Sequence, residues 1–142
     1  MIKEEKDLRM VFWVPYNISE IQKGIQAGHC ALEYVNEMTK TENINDLFIW
    51  KEYVENHKTW MIYNGGTTND KRDNESEFIG TLNQIPRELR KFEIEFATFQ
   101  EPDLNNALTA VCCIIDYNKL DFETPIEEVD ELSKFIRGFK FA

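Results

Sequence analysis

The chain has 142 residues, of which 42% are hydrophobic, 13% aromatic and 30% charged, a composition that suits one folded domain and excludes disordered and low-complexity proteins. Its 26 acidic and 16 basic side chains give a net charge of −10. Because nucleic-acid phosphates and anionic lipids both need a positive partner, this charge argues against a uniformly basic nucleic-acid binder and against a membrane-surface protein.

A buried strand and a long helix are predicted first. Residues 9–15 are a β-branched and aromatic run that ends at a proline, which is typical of a strand covered on both faces. A helix is predicted from residue 17 to about residue 38, where Ser19 and Gln22 match a capping box. Its buried face is predicted from apolar residues at helical spacing: Ile18, Ile21, Ile25, Leu32 and Val35.

Small residues at spacings of three and four interrupt this helix: Gly24, Ala27, Gly28 and Ala31. Glycine lowers helix propensity, so the pattern predicts a close approach of the helix to its sheet or to a ligand. A second helix is predicted at residues 45–56, with an apolar face that includes Leu47, Trp50 and Val54.

The second half of the chain is predicted to contain three strands and two helices. Residues 59–63, 92–96 and 109–115 are apolar or alternating runs, and the last has no polar face, so it is expected at the centre of the sheet. Residues 64–75 are rich in turn-forming types and predict a mobile loop. Helical spacing returns from Phe78 to Leu89, divided near Pro86, and again from a Thr124 cap to Ile136.

The order β-α-α-β-α-β-β-α, without a repeat or a linker, predicts one α/β domain over residues 1–142. We expect a four-stranded mixed sheet with helices on both faces, a three-layer α/β/α sandwich. The three cysteines, Cys30, Cys112 and Cys113, are odd in number and lack a C-x-x-C pair, which favours buried free thiols in a reducing cytoplasm. No signal peptide or membrane span is predicted, so a cytoplasmic location is expected.

Several segments, in the right order, resemble the type 2 peptidyl-tRNA hydrolases. The helix sequence Gln-Ala-Gly-His-Cys-Ala-Leu at residues 26–32 is similar to that family's Gln-x-Gly-His-x-Ala-Leu. The entry to the last strand, residues 106–111, places Thr109 on a family threonine, and residues 126–136 are similar to the closing helix. The loop at residues 101–106 is similar to one in a divergent branch that includes small phage and bacterial proteins.

The resemblance implies the hydrolase fold and, for the family, cleavage of the ester between a peptide and tRNA. That reaction needs activated water, an oxyanion donor and cations for the phosphates. Here the two family lysine positions hold Glu20 and Gln22, and Lys23 lies one residue away, about 100° around the helix. The family's acidic motif falls on residues 97–101, so Glu101 or Asp103 would have to replace its acid.

Each remaining candidate also has a structural interpretation. His29 is either a helix-packing group or a general base, and Gln26 pairs either backbone or a ligand. Thr109 either bonds the strand ladder or serves the site. The polar loop residues Glu101, Asp103, Asn105 and Asn106 fit turn chemistry and a site equally well. The sequence predicts no metal site and no cofactor, because His29 and the solvent-exposed, inert His57 lack metal-ligand spacing.

Two functions are therefore predicted, and a homodimer contact without a ligand site is a third possibility. In the first, a binding protein on the hydrolase scaffold uses a cleft to hold a small polar ligand or a partner's segment, the cleft being edged by Gln26, His29, Glu101, Asp103, Asn105 and Thr109. Its partner would be basic, and a host protein if the source is a phage, since residues 101–142 carry nine acidic and four basic side chains.

In the second, the chain is a peptidyl-tRNA hydrolase with relocated residues. Lys23 would bind the tRNA phosphate, Glu101 or Asp103 would orient water, and Thr109 would bond the carbonyl. The third possibility is a homodimer through exposed aromatic residues, for which Trp13, Trp50 and Trp60 are candidates.

Overall fold

Four strands and four α-helices lie within residues 5–67 and 81–142, the parts of the chain that the computed structural model describes. Their order matches the prediction: β1 (Leu8–Val14), α1 (Glu20–Lys40), α2 (Ile44–Asn56), β2 (Thr59–Asn64), α3 (Ile85–Lys91), β3 (Phe96–Glu101), β4 (Ala107–Asp116) and α4 (Glu131–Arg137). Most of the predicted mobile loop at residues 64–75, and Phe78, fall outside the described residues.

The strands form one open mixed sheet in the order β2-β1-β4-β3. β1 pairs with β2 in parallel and with β4 antiparallel, and β3 pairs with β4 antiparallel. The central position predicted for the all-apolar strand is therefore confirmed, and so are the α/β class and the four-stranded mixed sheet. Among the described residues, no helix is both long and apolar enough to cross a bilayer.

The sheet separates two apolar clusters. The first contains Met10 and Phe12 with residues of α1 and α2, and the second contains Val11 and Trp13 with residues of α3 and α4. Cys112 belongs to the first cluster and Cys113 to the second, as strand alternation predicts. All three cysteines are buried and free, which also agrees with the sequence.

The apolar face predicted for α1 is wrong. Ile21, Ile25 and Leu32 are 76%, 41% and 68% exposed, whereas the buried residues are Gln26, Ala27, Cys30, Tyr34 and Met38. Both sets have helical spacing, but Ile25 and Ala27 differ by about 200° around the axis, so only one set faces the sheet. The buried set includes Ala27 and Cys30 in the middle of the helix, and these small side chains let α1 lie close to the sheet, where Cys30 Sγ is 3.4 Å from the Ala97 carbonyl oxygen.

The two glycines of α1 do not serve a close approach, because a Cβ added at Gly24 or Gly28 would meet nothing within 4 Å. Gly28→Ala should therefore raise the free energy of unfolding by up to about 1 kcal/mol, since alanine is the better helix former. Urea unfolding followed by circular dichroism measures the change, and Gly24→Ala, one turn earlier, should behave alike. A loss of stability in both variants would mean that something packs on this face.

Two other boundaries also differ from the prediction. The strand expected at residues 92–96 is β3 at Phe96–Glu101, because Glu93 has a φ of 57° and turns the chain before the strand begins. The last helix begins at Glu131 rather than at Thr124, because Asp130 is the residue that caps it by accepting from the Ser133 N–H at 3.0 Å. Thr124 instead donates its hydroxyl to Asp121 in a turn.

The aromatic residues are less available for a dimer contact than predicted. Trp13 is fully buried, and Trp50 is partly buried against Tyr34 and Tyr53. Trp60 is 45% exposed, although its ring also packs on Phe12 at 4.6 Å. A homodimer through Trp13 is excluded because its side chain lies in the core.

Candidate functional site

The site begins with an irregularity in the pairing of β3 with β4. Phe99 pairs with Ala110 and Gln100 with Leu108, so Thr109 is an extra residue opposite a regular strand. This is the arrangement of a β-bulge, which is common beside functional sites because it redirects a side chain. Here the bulge sends Leu108 to the α3 side of the sheet, while Thr109 turns towards α1 and bonds Gln26.

Helix α1 presents Gln26 to this bulge. Ser19 caps the helix by accepting from the Gln22 N–H at 3.2 Å, which confirms the Ser19 half of the predicted capping box. Gln26 is only 3% exposed, so its amide needs hydrogen-bond partners on both sides. It is the polar member of the buried α1 face, and it lies directly over the end of β3.

Three elements are joined there by a chain of hydrogen bonds. The Thr109 hydroxyl donates to Gln26 Oε1 at 2.6 Å, and Gln26 Nε2 donates to Glu101 Oε2 at 2.9 Å. Gln26 Nε2 also lies 3.3 Å from Gln22 Oε1, the acceptor of its second N–H. The amide is therefore fully paired and fixes the Glu101 carboxylate at the open end of the chain of bonds.

These contacts keep Glu101 charged. The Gln26 amide and then the Asp103 backbone N–H stabilise the carboxylate and lower the pKa of Glu101, against a smaller opposing effect of desolvation. The nearby His29 contributes in the same direction. Glu101 is thus an anion at neutral pH, positioned by its neighbours rather than free to rotate.

The loop after β3 is tightly turned. Glu101 Oε1 accepts from the Asp103 N–H at 3.3 Å, and the Asn106 N–H donates to the Glu101 carbonyl at 3.0 Å. Asn105 and Asn106 have φ values of 53° and 62°, a left-handed conformation that asparagine tolerates well. Glu101 therefore has both a turn role and a place in the pocket, whereas the positions of Asn105 and Asn106 are explained by the turn.

A pocket of about 370 Å³ opens beside this loop. Four predicted residues line it, namely Gln26, Glu101, Asp103 and Thr109, and four further lining residues were not predicted as site residues: Ile18, Ser19, Gln22 and Leu104. Gln22 could have been found from sequence, because it lies one turn before Gln26 on the same side of the helix. Asn105, His29 and Lys23 do not line this pocket.

His29 lies just outside the pocket, packed against β3. Its ring packs against that of Phe99, with centroids 4.7 Å apart and planes tilted by 54°, and its Nδ1 atom is buried without a hydrogen-bond partner among the residues described. This ring contact fits the helix-packing interpretation. His57, expected to be solvent-exposed, has a side chain only 16% exposed and lies 3.4 Å from Glu52 Oε1, so that expectation is wrong.

Lys23 is also directed elsewhere. Its Nζ atom pairs with Glu20 Oε1 at 2.9 Å, and its side chain is 11% exposed. The Lys23 charge is thus partly neutralised, and the lining of the pocket contains two carboxylates and no lysine or arginine among the described residues. Across residues 5–67 and 81–142, no group of three or more His, Cys, Asp or Glu side chains could hold a metal ion.

Comparison with known proteins leaves the family open. No protein-family model matches the chain, and no curated protein matches it.

Proposed function

We propose that the chain is a binding protein whose pocket beside Glu101 takes a positively charged group, either an amine or guanidinium of a small polar ligand or a basic side chain of a partner protein. The observation that carries the proposal is the pocket's charge: Glu101 and Asp103 line it, and no described lining residue is basic. A cation gains energy from both carboxylates, whereas a phosphate would be repelled.

The Glu101 carboxylate retains room for such a ligand. An ionised carboxylate offers about four acceptor sites, and here Oε2 accepts from Gln26 and Oε1 from the Asp103 N–H. Charge-assisted hydrogen bonds to the remaining sites are about twice as strong as neutral ones. The pocket volume of about 370 Å³ is at the small end of the range for ligand sites, which suits an alkylammonium or guanidinium group.

The proposal includes the scaffold. Helices α1 and α2 contribute to one apolar cluster and α3 and α4 to the other, which supports a three-layer sandwich, and a sandwich is what the resemblance to the hydrolases implies. The exposed acidic residues Glu127, Glu128 and Glu131 add a negative surface for a basic partner. This part of the proposal predicts weaker partner binding when these three charges are reversed.

The alternative is a peptidyl-tRNA hydrolase. It is favoured by the ionised Glu101 carboxylate, which lines the pocket and could orient a water molecule there. Two contacts weigh against it. The single Thr109 hydroxyl proton is donated to Gln26, and Lys23 is paired with Glu20 rather than placed at the pocket. The hydrolase would need both side chains to leave these partners, whereas binding of a cation beside Glu101 requires no change in Thr109 or Lys23.

Titration of the ¹⁵N-labelled protein with ethylammonium, guanidinium and inorganic phosphate tests the binding function. We expect the two cations to shift the backbone amides of Gln22, Gln26 and Asp103, and phosphate to leave them unchanged. Glu101→Gln should weaken the cation effect, and Glu123→Gln, an exposed acid outside the pocket lining, should not. Release of peptide from peptidyl-tRNA above background, lowered by Thr109→Ala, would instead favour the hydrolase.

A further inference from the structure

A second cavity, of about 590 Å³, lies on the other side of the sheet from α1. It is walled by two stacked aromatic pairs. Tyr63 stacks on Phe141 with centroids 5.1 Å apart and planes 6° apart, and Tyr117 stacks on Phe122 at 6.1 Å. The hydroxyls of Tyr63 and Tyr117 are hydrogen-bonded at 2.7 Å, so the two walls are held together at their buried ends.

The outer rings of these walls remain open to solvent. Phe122 is 52% exposed and Phe141 is 64% exposed, whereas Tyr63 and Tyr117 are 5% and 8% exposed. Phenylalanine rings of this exposure at the mouth of a concave site leave apolar surface that a flat ligand would cover. The cavity is thus lined by a buried pair of hydroxyls and by exposed apolar rings.

Two guanidinium groups give the cavity its charge. Arg9 lies over the Tyr117 ring, 4.4 Å from its centroid. It donates to both carboxylate oxygens of Asp7, through Nε at 3.2 Å and Nη2 at 2.8 Å, so Nη1 is the nitrogen left without a carboxylate partner. Its Nη1 atom contacts Met61 Sδ at 3.6 Å. A thioether sulfur is a weak acceptor, so an anion in its place would form a stronger, charge-assisted hydrogen bond with Nη1. Arg137 donates through Nη1 to the Thr124 carbonyl at 2.6 Å.

The charge of the lining decides whether an aromatic cavity of this kind favours a cationic or an anionic ligand. Aromatic rings alone suit a cation, but here the lining carries two guanidinium groups and one carboxylate, that of Asp7, which leaves one net positive charge. A cationic ligand is therefore disfavoured, in contrast to the pocket beside Glu101. Guanidinium groups bind carboxylate and phosphate through paired N–H donors, and planar rings stack on tyrosine and phenylalanine.

We infer that this cavity binds a planar aromatic molecule that carries an anionic group. The ring lies against the exposed Phe122 and Phe141 rings, since the two tyrosine rings are covered by their stacking partners. The carboxylate or phosphate accepts from Arg9 Nη1, which Asp7 leaves unpaired. The volume of about 590 Å³ accommodates a ligand of one or two fused rings. The inference is independent of the proposed function, because the two sites share no lining residue.

Matched pairs of probes test this inference by separating the charge from the ring. Indole-3-acetate is compared with indole-3-acetamide, and adenosine monophosphate with adenosine, by isothermal titration and by the amide shifts of Tyr63, Tyr117 and Phe139. We expect at least one acid to bind about tenfold or more tightly than its neutral partner, since a charge-assisted bond is lost in the latter. The pair that responds identifies carboxylate or phosphate as the anionic group.

Variants assign the binding to these side chains. Arg9→Met should bring the acid down to the affinity of its neutral partner, and Phe141→Ala should weaken both members of the pair equally. Arg90→Met is the control, because Arg90 also lies over a ring, Phe96 at 5.3 Å, but outside the cavity lining. Equal affinity for acid and neutral probe, or binding unchanged in both Arg9→Met and Phe141→Ala, would overturn the inference.

Discussion

Trp13→Ala is expected to lower the free energy of unfolding by about 3–5 kcal/mol, because it removes the largest fully buried side chain and leaves a cavity. Trp13 is 0% exposed, and its ring contacts those of Tyr63, Phe135 and Phe139 at centroid distances between 5.7 and 6.4 Å. These neighbours come from β2, α4 and the segment after it, so none can close the space alone. Urea unfolding measures the loss.

Trp60→Ala is the matched control for that variant. The same atoms are removed, but Trp60 is 45% exposed, and its main ring contact is with Phe12. We expect a loss of about 1 kcal/mol, which is typical of a half-exposed aromatic contact. Comparable losses in the two variants would contradict the placement of Trp13 in the core.

Thr109→Val is expected to cost about 1–3 kcal/mol, because Gln26 Oε1 loses its donor while it stays buried. Gln26→Leu should cost a similar amount, and the double variant Gln26→Leu/Thr109→Val should cost less than the sum of the two, since it leaves neither partner unpaired. Thr39→Val, which removes an exposed hydroxyl that donates to the Asn36 carbonyl, is the control and should have little effect.

The same variants predict a pH effect. The folded-state pKa of Glu101 lies below its ordinary value of 4.5, and the Gln26 amide is the largest cause. Such a group stabilises the fold above the unfolded-state pKa, and that contribution is lost as the pH falls through the folded-state pKa. Gln26→Leu should therefore raise the pKa of Glu101, measured by NMR, and its stability deficit should shrink in acid. Strictly additive losses with an unchanged pKa would show that the bonds are not coupled.

Composition and local pattern predicted the order of the elements because most strands here are continuous apolar runs flanked by turn residues. The same rules misplaced β3, because residues 92–96 alternate as a strand does, whereas Glu93 adopts a left-handed backbone conformation that ends any strand there. They also chose the wrong face of α1. Two periodic stripes lie on that helix, and only the tertiary packing decides which one meets the sheet.

The candidate site was predictable only in part. Gln26, Glu101, Asp103 and Thr109 were found because motif resemblance and polar-loop composition single them out, and the pocket brings them together. The bulge that directs Thr109 depends on strand pairing, which a single sequence does not specify. The aromatic cavity was missed for a related reason, since its lining comes from segments up to 134 positions apart, Asp7 to Phe141.

The bulge at Thr109 also divides β4 into a part whose residue faces are fixed by the apolar core and a part that leads into the turn beside the pocket. From Ala110 onward the strand alternates between the two apolar clusters, in register with β1. Before Thr109 the alternation is reversed: each residue faces the side of the sheet opposite to the one that the pattern of Ala110–Ile115 would give it. The turn that carries Glu101 and Asp103 joins β4 on that side of the bulge. Substitutions that reshape this turn, or changes in its length, can therefore be absorbed at the bulge while Ala110–Ile115 keep their faces, so the lining of the pocket can change without disturbing the packed core.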